Sequence, residues 1–472
     1  MNFNTALFLF LFLPFFLIAY FVAQPRWRPA LGILASGLFY AWGSAVNLVF
    51  IAALIVANYS LARLFASRFS KWILPLGLLV NVGALAFFKL FTAYQYALFF
   101  GLERFFPARL TALLDSLTFP LGLSFISFQL ISYLVDVRKG AVQPEKNFIA
   151  FAFYVLMFPK LLVGPIVRYR SVAAQLPNPT IDSDQIANGI RRFLKGFAKK
   201  ILIADTLGVT VDAVFNLPTP ALTPAYAWLG LAGYTLQIYF DFSGYTDMAI
   251  GLARMMGFRF VENFDLPYLA QSIGDFWRRW HISLSTWFRD YVFFPLERKR
   301  IPVIGQSLNI LVVFLLTGLW HGVTINFVAW GLLHGFFIAL ENLFLNRWLQ
   351  KTFQPVRHLY ALTIILFTWL VFRSPSLEYA FQYLRALGGM VQPPFPLPFH
   401  DTSPLPLIEP SFLLALLAGL FLALPFGFHF QKDGRHSFAR TLASDILIIA
   451  RFVLSVGMMA ANGFTPGIYE GF

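Results

Sequence analysis

Residues 275–285 read Asp275-Phe276-Trp277-Arg278-Arg279-Trp280-His281-Ile282-Ser283-Leu284-Ser285, and residues 317–322 read Thr317-Gly318-Leu319-Trp320-His321-Gly322. Each segment places a histidine directly after a tryptophan. The rest of the chain decides how they are read. Hydrophobic residues make up 58% of the 472 positions against 12% charged, whereas soluble domains carry roughly a quarter charged residues. The chain therefore reads as an integral membrane protein of the all-α, polytopic class. An ionisable side chain at membrane depth is costly and marks a functional site by default. The two Trp-His pairs are the first candidates.

No long polar block separates the apolar segments, so residues 1–472 read as one membrane domain. The first apolar segment, 8–22, has no cationic stretch before it and no small-residue cleavage site after it, and is expected to be a retained span. There is no cysteine, which excludes disulfides, thiolate metal sites and a cysteine nucleophile. The formal charge of +14 would point a soluble protein toward nucleic acid. Here it follows more simply from cations collecting in cytoplasmic loops beside anionic lipid. Membrane lipid is thus an expected partner and nucleic acid is not. A phosphate-bearing donor could use the same charge.

Spans need about 20 mostly apolar residues. Windows fall near 4–23, 30–43, 47–63, 73–100, 118–135, 148–166, 225–253, 306–320, 323–345, 358–373, 411–427 and 442–461. They give roughly 11–12 crossings, some short, plus re-entrant or interfacial helices. Arg26 and Arg28 follow the first span, and Arg63, Arg68 and Lys71 follow the third, with no cation between the second and third. This alternation places the N-terminus outside. The acidic, cation-free 392–410 and the basic 432–440 extend the pattern and place the C-terminus outside too. Residues 185–215 set Arg191, Arg192, Lys195, Lys199 and Lys200 on one side of an amphipathic helix suited to the interface. Residues 266–295 mix charges and aromatics too densely to face lipid and are expected to form a re-entrant or interfacial element.

Three constellations carry possible chemistry. In Tyr234–Asp247, helical spacing puts Tyr234, Asp241 and Tyr245 on one face; helix–helix hydrogen bonding explains such a stripe better than direct catalysis. In 277–290, an interfacial helix with tryptophans at headgroup level explains the arginines and tryptophans, but explains His281 less well. His321 ends an apolar run and precedes a glycine that permits a backbone break. A neutral imidazole there can take a proton from an attacking hydroxyl; a hydrogen-bonded structural histidine fits the residues equally well. His334 falls on another face and reads as core. The histidines are too scattered for a metal site. The sequence contains no nucleophile elbow, His-Glu-x-x-His, Walker loop or dinucleotide fingerprint.

At this point the chain resembles the membrane-bound O-acyltransferases, nearest to the branch of the bacterial alginate O-acetyltransferase and the teichoic-acid D-alanyl transfer protein. The matching motifs are Phe158-Pro159-Lys160-Leu161-Leu162-Val163-Gly164-Pro165-Ile166-Val167-Arg168, Tyr239-Phe240-Asp241-Phe242-Ser243-Gly244-Tyr245-Thr246-Asp247, Phe276 to Ser285 and Thr317 to Gly322. They lie in order within 119–345. The resemblance implies a ring of tilted helices around a central tunnel, with His321 as the catalytic histidine and His281 as the second one. Asp241, Tyr245, Ser283, Trp280, Trp320 and Asn309 are then expected to line or support the tunnel. No bound cofactor is implied. The donor would be a cytoplasmic acyl-CoA or acyl carrier protein thioester. The acyl group, most simply acetyl, would pass outward to an extracellular polysaccharide of alginate or cellulose type. A periplasmic acetyltransferase- or acetylesterase-like partner, and a bacterial inner-membrane location, belong to the same picture.

Relatives commonly continue past the His281 helix with Pro-Leu-Gly-Gly-Asn; here the stretch is Pro295-Leu296-Glu297-Arg298-Lys299-Arg300, so donor recognition does not carry over. The chain ends Phe464-Thr465-Pro466-Gly467-Ile468-Tyr469-Glu470-Gly471-Phe472. Such aromatic tails resemble those of relatives, and Tyr469 is a possible transient acyl carrier at the outer mouth, although an interfacial tyrosine anchor fits as well. The competing functions are a D-alanyl or lipid acyltransferase, and a non-enzymatic transporter or flippase using the same polar path.

Overall fold

The structure is a computed structural model that describes residues 2–99, 119–177, 179–300, 305–391, 408–424 and 438–462. Among the described residues there are helices and no strands. In chain order they are α1 Leu13–Val22, α2 Arg28–Ala41, α3 Ala45–Arg63, α4 Ser70–Phe99, α5 Leu123–Arg138, α6 Phe148–Leu156, α7 Ser183–Ala198, α8 Thr206–Phe215 and α9 Pro224–Met255. They continue with α10 Ile273–Arg279, α11 Ile282–Phe288, α12 Gly305–His321, α13 Ile325–Leu340, α14 Gln354–Arg373, α15 Leu377–Leu387, α16 Pro410–Ala423 and α17 Phe438–Asn462. Five helices among the described residues are long and apolar enough to cross a membrane, and three shorter apolar ones accompany them. The chain is an all-α, multi-pass membrane protein.

Helices occupy eleven of the twelve apolar windows. The exception is 148–166. There α6 stops at Leu156, Phe158–Lys160 makes a single 3-10 turn, and Leu161–Val167 runs on without regular structure. Pro159 and Pro165 remove backbone donors that a continuing helix would need. This segment is not a span. Residues 157–167 are buried throughout, as irregular backbone in a membrane protein must be.

The chain forms two compact units, one of Met1–Ile190 and Ala249–Val261, the other of Arg191–Met248 and Glu262–Gly471. In the first, Phe158 sits among rings from α1 and α2, with centroids 5.1 Å from Phe16 and 5.6 Å from Phe39, and its amide donates to Ser36 Oγ at 3.1 Å. Helices α3 and α4 meet through the buried Asn58 and Asn81. Each amide group donates to the other, at 3.2 and 2.7 Å, and to its own i−4 carbonyl. In lipid, polar side chains do pair across helices in this way. Lys160 bonds Gln129 and lies 4.3 Å from the centroid of the Tyr154 ring.

In the second unit, α7 runs through a π-helical stretch, Lys199–Asp205, into α8. A Cβ on Gly196 would lie 2.5 Å from the Gly244 carbonyl, so α7 and α9 touch through their backbones. That contact delivers the basic face of α7 to carboxylates. Arg192 and Lys199 reach the two oxygens of Asp247 at 2.7 and 2.8 Å, and Arg192 also holds Glu262 at 2.6 Å. Lys200 lies between Asp205 at 2.5 Å and Asp241 at 2.8 Å, and Arg191 pairs with Asp445 of α17 at 2.7 Å. The sequence placed these cations toward lipid headgroups; four of the five instead pair within the protein. Helices α12 and α13 form a close hairpin: a Cβ on Gly331 would lie 3.1 Å from the Gly318 Cα and overlap the Phe314 carbonyl.

Candidate active site

The 266–295 stretch folds as a series of short pieces. Ser272 caps α10 by accepting from the Asp275 amide at 3.0 Å. The buried Glu341 carboxylate accepts from the Ile273 and Gly274 amides at 2.6 and 2.9 Å, placing negative charge at a helix start, where it is favourable. With seven residues each, α10 and α11 are too short to cross a bilayer, as expected for a re-entrant or interfacial element. Trp277 and Trp287 are buried against the protein, and Trp277 donates its indole N–H to His334 Nδ1 at 3.2 Å. His334 is a core residue.

The chain turns from α10 to α11 at His281, whose φ of +44° is left-handed, a region that histidine enters more readily than most side chains. Asn263 clamps this turn. Its backbone carbonyl accepts from the Ile282 amide at 3.0 Å. Its side-chain oxygen meets the Ser283 amide at 3.1 Å, the Ser283 hydroxyl at 2.8 Å and His281 Nδ1 at 3.1 Å. The His281 ring lies edge-on to Phe242 of α9 at 4.7 Å. His281 belongs to none of the apolar helices, and burial pulls its imidazole down from 6.5 to about 3, so the ring is neutral across the physiological range.

His321 is the last residue of α12 and is also buried. Gly322 follows because the Phe327 ring occupies the space a Cβ would take. Aromatic edges box the imidazole, with Trp330 at 4.9 Å and Phe372 at 5.2 Å. Trp320 joins the two histidines: its ring lies 4.6 Å from His321 and 6.2 Å from His281. Sequence-distant histidines thus share one aromatic wall. A buried pair of imidazoles beside apolar rings has the equipment for proton transfer to or from a hydroxyl in a dry site.

The other expected residues fall in three places. Ser283 is part of the Asn263 clamp. Trp280 is packed against Phe264 at 5.0 Å and Trp369 at 4.9 Å and sets the entry to the turn. Asp241 and Tyr245 gather around Lys200, which lies 5.9 Å from the Tyr245 ring centroid. Asn309 donates to Glu297 at 2.7 Å; twelve residues of helix, about 18 Å at 1.5 Å per residue, separate it from His321, so it anchors the short helix Phe294–Glu297. Tyr469 lies outside the described residues. Among those residues no group of three potential ligands could hold a metal ion. A cleft of about 410 Å³ lined by Gln185, Asn188, Arg254, Arg259 and Phe260 takes none of its walls from the histidine-bearing unit.

Residues 36–378 match the model of the membrane-bound O-acyltransferase family. The chain belongs to that family. Among similar proteins, a probable alginate O-acetylase AlgI of Pseudomonas fluorescens is 42% identical over 386 residues, covering 80% of this chain and 74% of its own. The peptidoglycan O-acetyltransferase of Helicobacter pylori is 33% identical over 429 residues, covering 82% and 80%. The teichoic acid D-alanyltransferase of Bacillus subtilis is 32% identical over 244 residues, covering 49% and 60%. As a membrane-bound O-acyltransferase, the chain is an enzyme that moves an acyl group to oxygen. Asn263 escaped the sequence reading because it sits unremarked between Glu262 and Phe264, and nothing in its spacing indicates a partner eighteen residues ahead.

Proposed function

We propose that this enzyme transfers an acetyl group from a thioester donor on the cytoplasmic side to hydroxyls of a polysaccharide of the alginate type outside. The observation that carries the reading is that the buried His281 and His321 rings both lie against Trp320. His321 takes the proton of the attacking hydroxyl as the new C–O bond forms. The C–S bond of the thioester breaks, and the departing thiolate receives that proton from the imidazolium. Ester and thiol are the products, and nothing is oxidised or reduced. A dry site favours this step because the attacking oxygen and thioester carbon must be held at bonding distance.

Acetyl is favoured over D-alanyl because the alginate and peptidoglycan relatives match about four-fifths of the chain and the D-alanyltransferase about half. The donor is acyl-CoA or an acyl carrier protein, and a periplasmic acetyltransferase- or acetylesterase-like partner completes delivery to the polymer. The bacterial inner membrane, with both chain ends outside, suits that direction. The test is purified full-length protein in lipid nanodiscs supplied with radiolabelled acetyl-CoA, acetyl carrier protein or D-alanyl carrier protein, with alginate oligosaccharide as acceptor. Ester formation, or thioester cleavage where delivery needs the partner, from one acetyl donor and abolished by His321→Ala, is expected. Solute or lipid movement that survives His321→Ala, without ester formation, would replace this reading with a transporter.

A further inference from the structure

Among the partners of the Asn263 side chain, one has a hydrogen-bonding sense fixed by its covalent structure. The Ser283 amide can only donate, so the atom 3.1 Å from it is the amide oxygen of Asn263 and not its nitrogen. That assignment removes the usual ambiguity between the two ends of an asparagine. The same oxygen accepts from the Ser283 hydroxyl at 2.8 Å, and the Asn263 nitrogen faces Thr246 Oγ1 at 3.4 Å. His281 Nδ1 lies 3.1 Å from that same oxygen. Two lone pairs facing each other repel, so Nδ1 must carry a proton. In a neutral imidazole the other nitrogen then has none. Nε2 is buried and has no hydrogen-bond partner among the described residues. An unsatisfied buried nitrogen calls for an explanation, and a substrate that donates to it supplies one.

We infer that Asn263 is a positioning residue for His281, holding the neutral imidazole with its proton on Nδ1 so that Nε2 meets the acceptor hydroxyl as a hydrogen-bond acceptor. The role of Nε2 rests on the acyl-transfer reading; the tautomer does not. The inference separates two jobs that a second histidine could perform. With a bare Nε2, His281 orients the O–H of the incoming alcohol. It does not donate to the negative oxygen that develops on the thioester carbonyl. Asn263 acts at one remove, and acts twice: its oxygen sets the tautomer, while its backbone carbonyl and the same oxygen hold Ile282 and Ser283, fixing the left-handed turn that aims the ring. The groups facing the ring are Phe242 from α9, Trp320 from α12, and Asn263 and Ser283; the titratable side chain beyond Trp320 is His321.

Two measurements test this on the full-length protein. Nitrogen-15 NMR of histidine-labelled protein, with the His281→Ala spectrum identifying the relevant signals, reads the tautomer directly. A protonated Nδ1 and bare Nε2 are expected, and a protonated Nε2 overturns the inference whatever the enzyme does. Thiol release from acetyl-CoA, with kcat and KM separated, reads the consequence. Asn263→Leu should lower kcat about 10- to 100-fold, the scale of losing a group that orients a functional histidine, with little change in KM. The same substitution made in His281→Ala should add almost nothing, because residues acting as a unit are not additive. Equal losses in both backgrounds would mark Asn263 as merely structural and overturn the inference. Should Asn263→Leu fail to fold, Asn263→Asp keeps the acceptor. Its carboxylate favours the imidazolium and should move the acid limb of the pH profile upward, and an unmoved limb overturns the inference. Wild-type protein with the expected tautomer but no acyl transfer to any hydroxyl would instead sink the functional reading, and with it the role given to Nε2.

Discussion

Gly318 and Gly331 bring α12 and α13 into backbone contact, leaving no room for a methyl group on either side. A Cβ on Gly318 would overlap the Phe327 carbonyl, and one on Gly331 would come within 3.1 Å of the Gly318 Cα. Helices in lipid associate through such small residues because there is no hydrophobic drive between them. Gly318 lies one turn before His321, so its packing also fixes the His321 ring. Gly318→Val should lower the thermal midpoint of detergent-purified protein, at about 1–3 kcal/mol or more of overpacking, and reduce acyl transfer with it. Intrinsic tryptophan fluorescence during heating and the thiol-release assay are the two measurements. An unchanged midpoint would mean that the hairpin opens easily.

The wall shared by the two histidines predicts a graded series at Trp320. Trp320→Phe keeps an aromatic face toward both rings and should retain most of the activity. Trp320→Ala leaves both imidazoles without that wall and should reduce kcat by more than tenfold. His321→Ala should remove roughly the 10²–10⁴-fold that a positioned acid–base group contributes. Steady-state kinetics on the three proteins decide the order. A Trp320→Ala enzyme as active as wild type would break the proposed link.

Asp241 is predicted to act through structure. Its carboxylate and Lys200 Nζ meet at 2.8 Å with both side chains 2% exposed. Removing one partner of a buried pair strands a charge, at about 3–5 kcal/mol; Asp205, which also holds Lys200, should keep the value toward the low end. Asp241→Leu should therefore unfold earlier on heating, and adding Lys200→Met should recover part of the loss. Activity measured on the folded fraction should fall far less than with His321→Ala. A normal melting curve with abolished turnover would assign Asp241 to the chemistry.

Burial of His281 predicts an acid sensitivity. Its imidazole takes a proton near 6.5 in an unfolded chain and only at about 3 when folded. Between these values the unfolded state binds the extra proton, so stability falls as pH is lowered, by about 1.4 kcal/mol per unit at most. This contribution is complete above pH 6.5. His281→Asn keeps a side chain that tolerates the left-handed turn but cannot titrate, and should flatten that part of the stability–pH curve. Thermal midpoints from pH 7 down to pH 4 measure it. Identical slopes for the two proteins would show that the ring is not held neutral.

Much of this organisation was legible in the residues. Apolar windows located the helices, because lipid imposes both a length and a hydropathy. The Trp-His pairs located the buried imidazoles, because an ionisable group amid hydrocarbon is conspicuous. What resisted was partnership. The cations of α7 look the same in sequence whether they face headgroups or the carboxylates of α9, and only the Gly196–Gly244 contact decides. The apolar stretch after Leu156 has the hydropathy of a span, yet two prolines and a wholly buried environment end its helix. Asn309 lies on the same helix as His321 and shares its apolar setting, but a helix places it about 18 Å away. Asn263 shows the same limit: its role arises from a turn that brings residues far apart in sequence together.

The ion pairs between α7 and α9 also bear on biogenesis. An unpaired carboxylate in an apolar interior is costly, and α9 buries two, Asp241 and Asp247. Their partners Arg192, Lys199 and Lys200 lie upstream, so the ribosome has already made them when α9 emerges. The segment from Ser183 to Met255 therefore carries its own counter-charges, the cations made before the carboxylates that they pair with. Reversing the order of synthesis by circular permutation would present Asp241 and Asp247 before any of their cations exist.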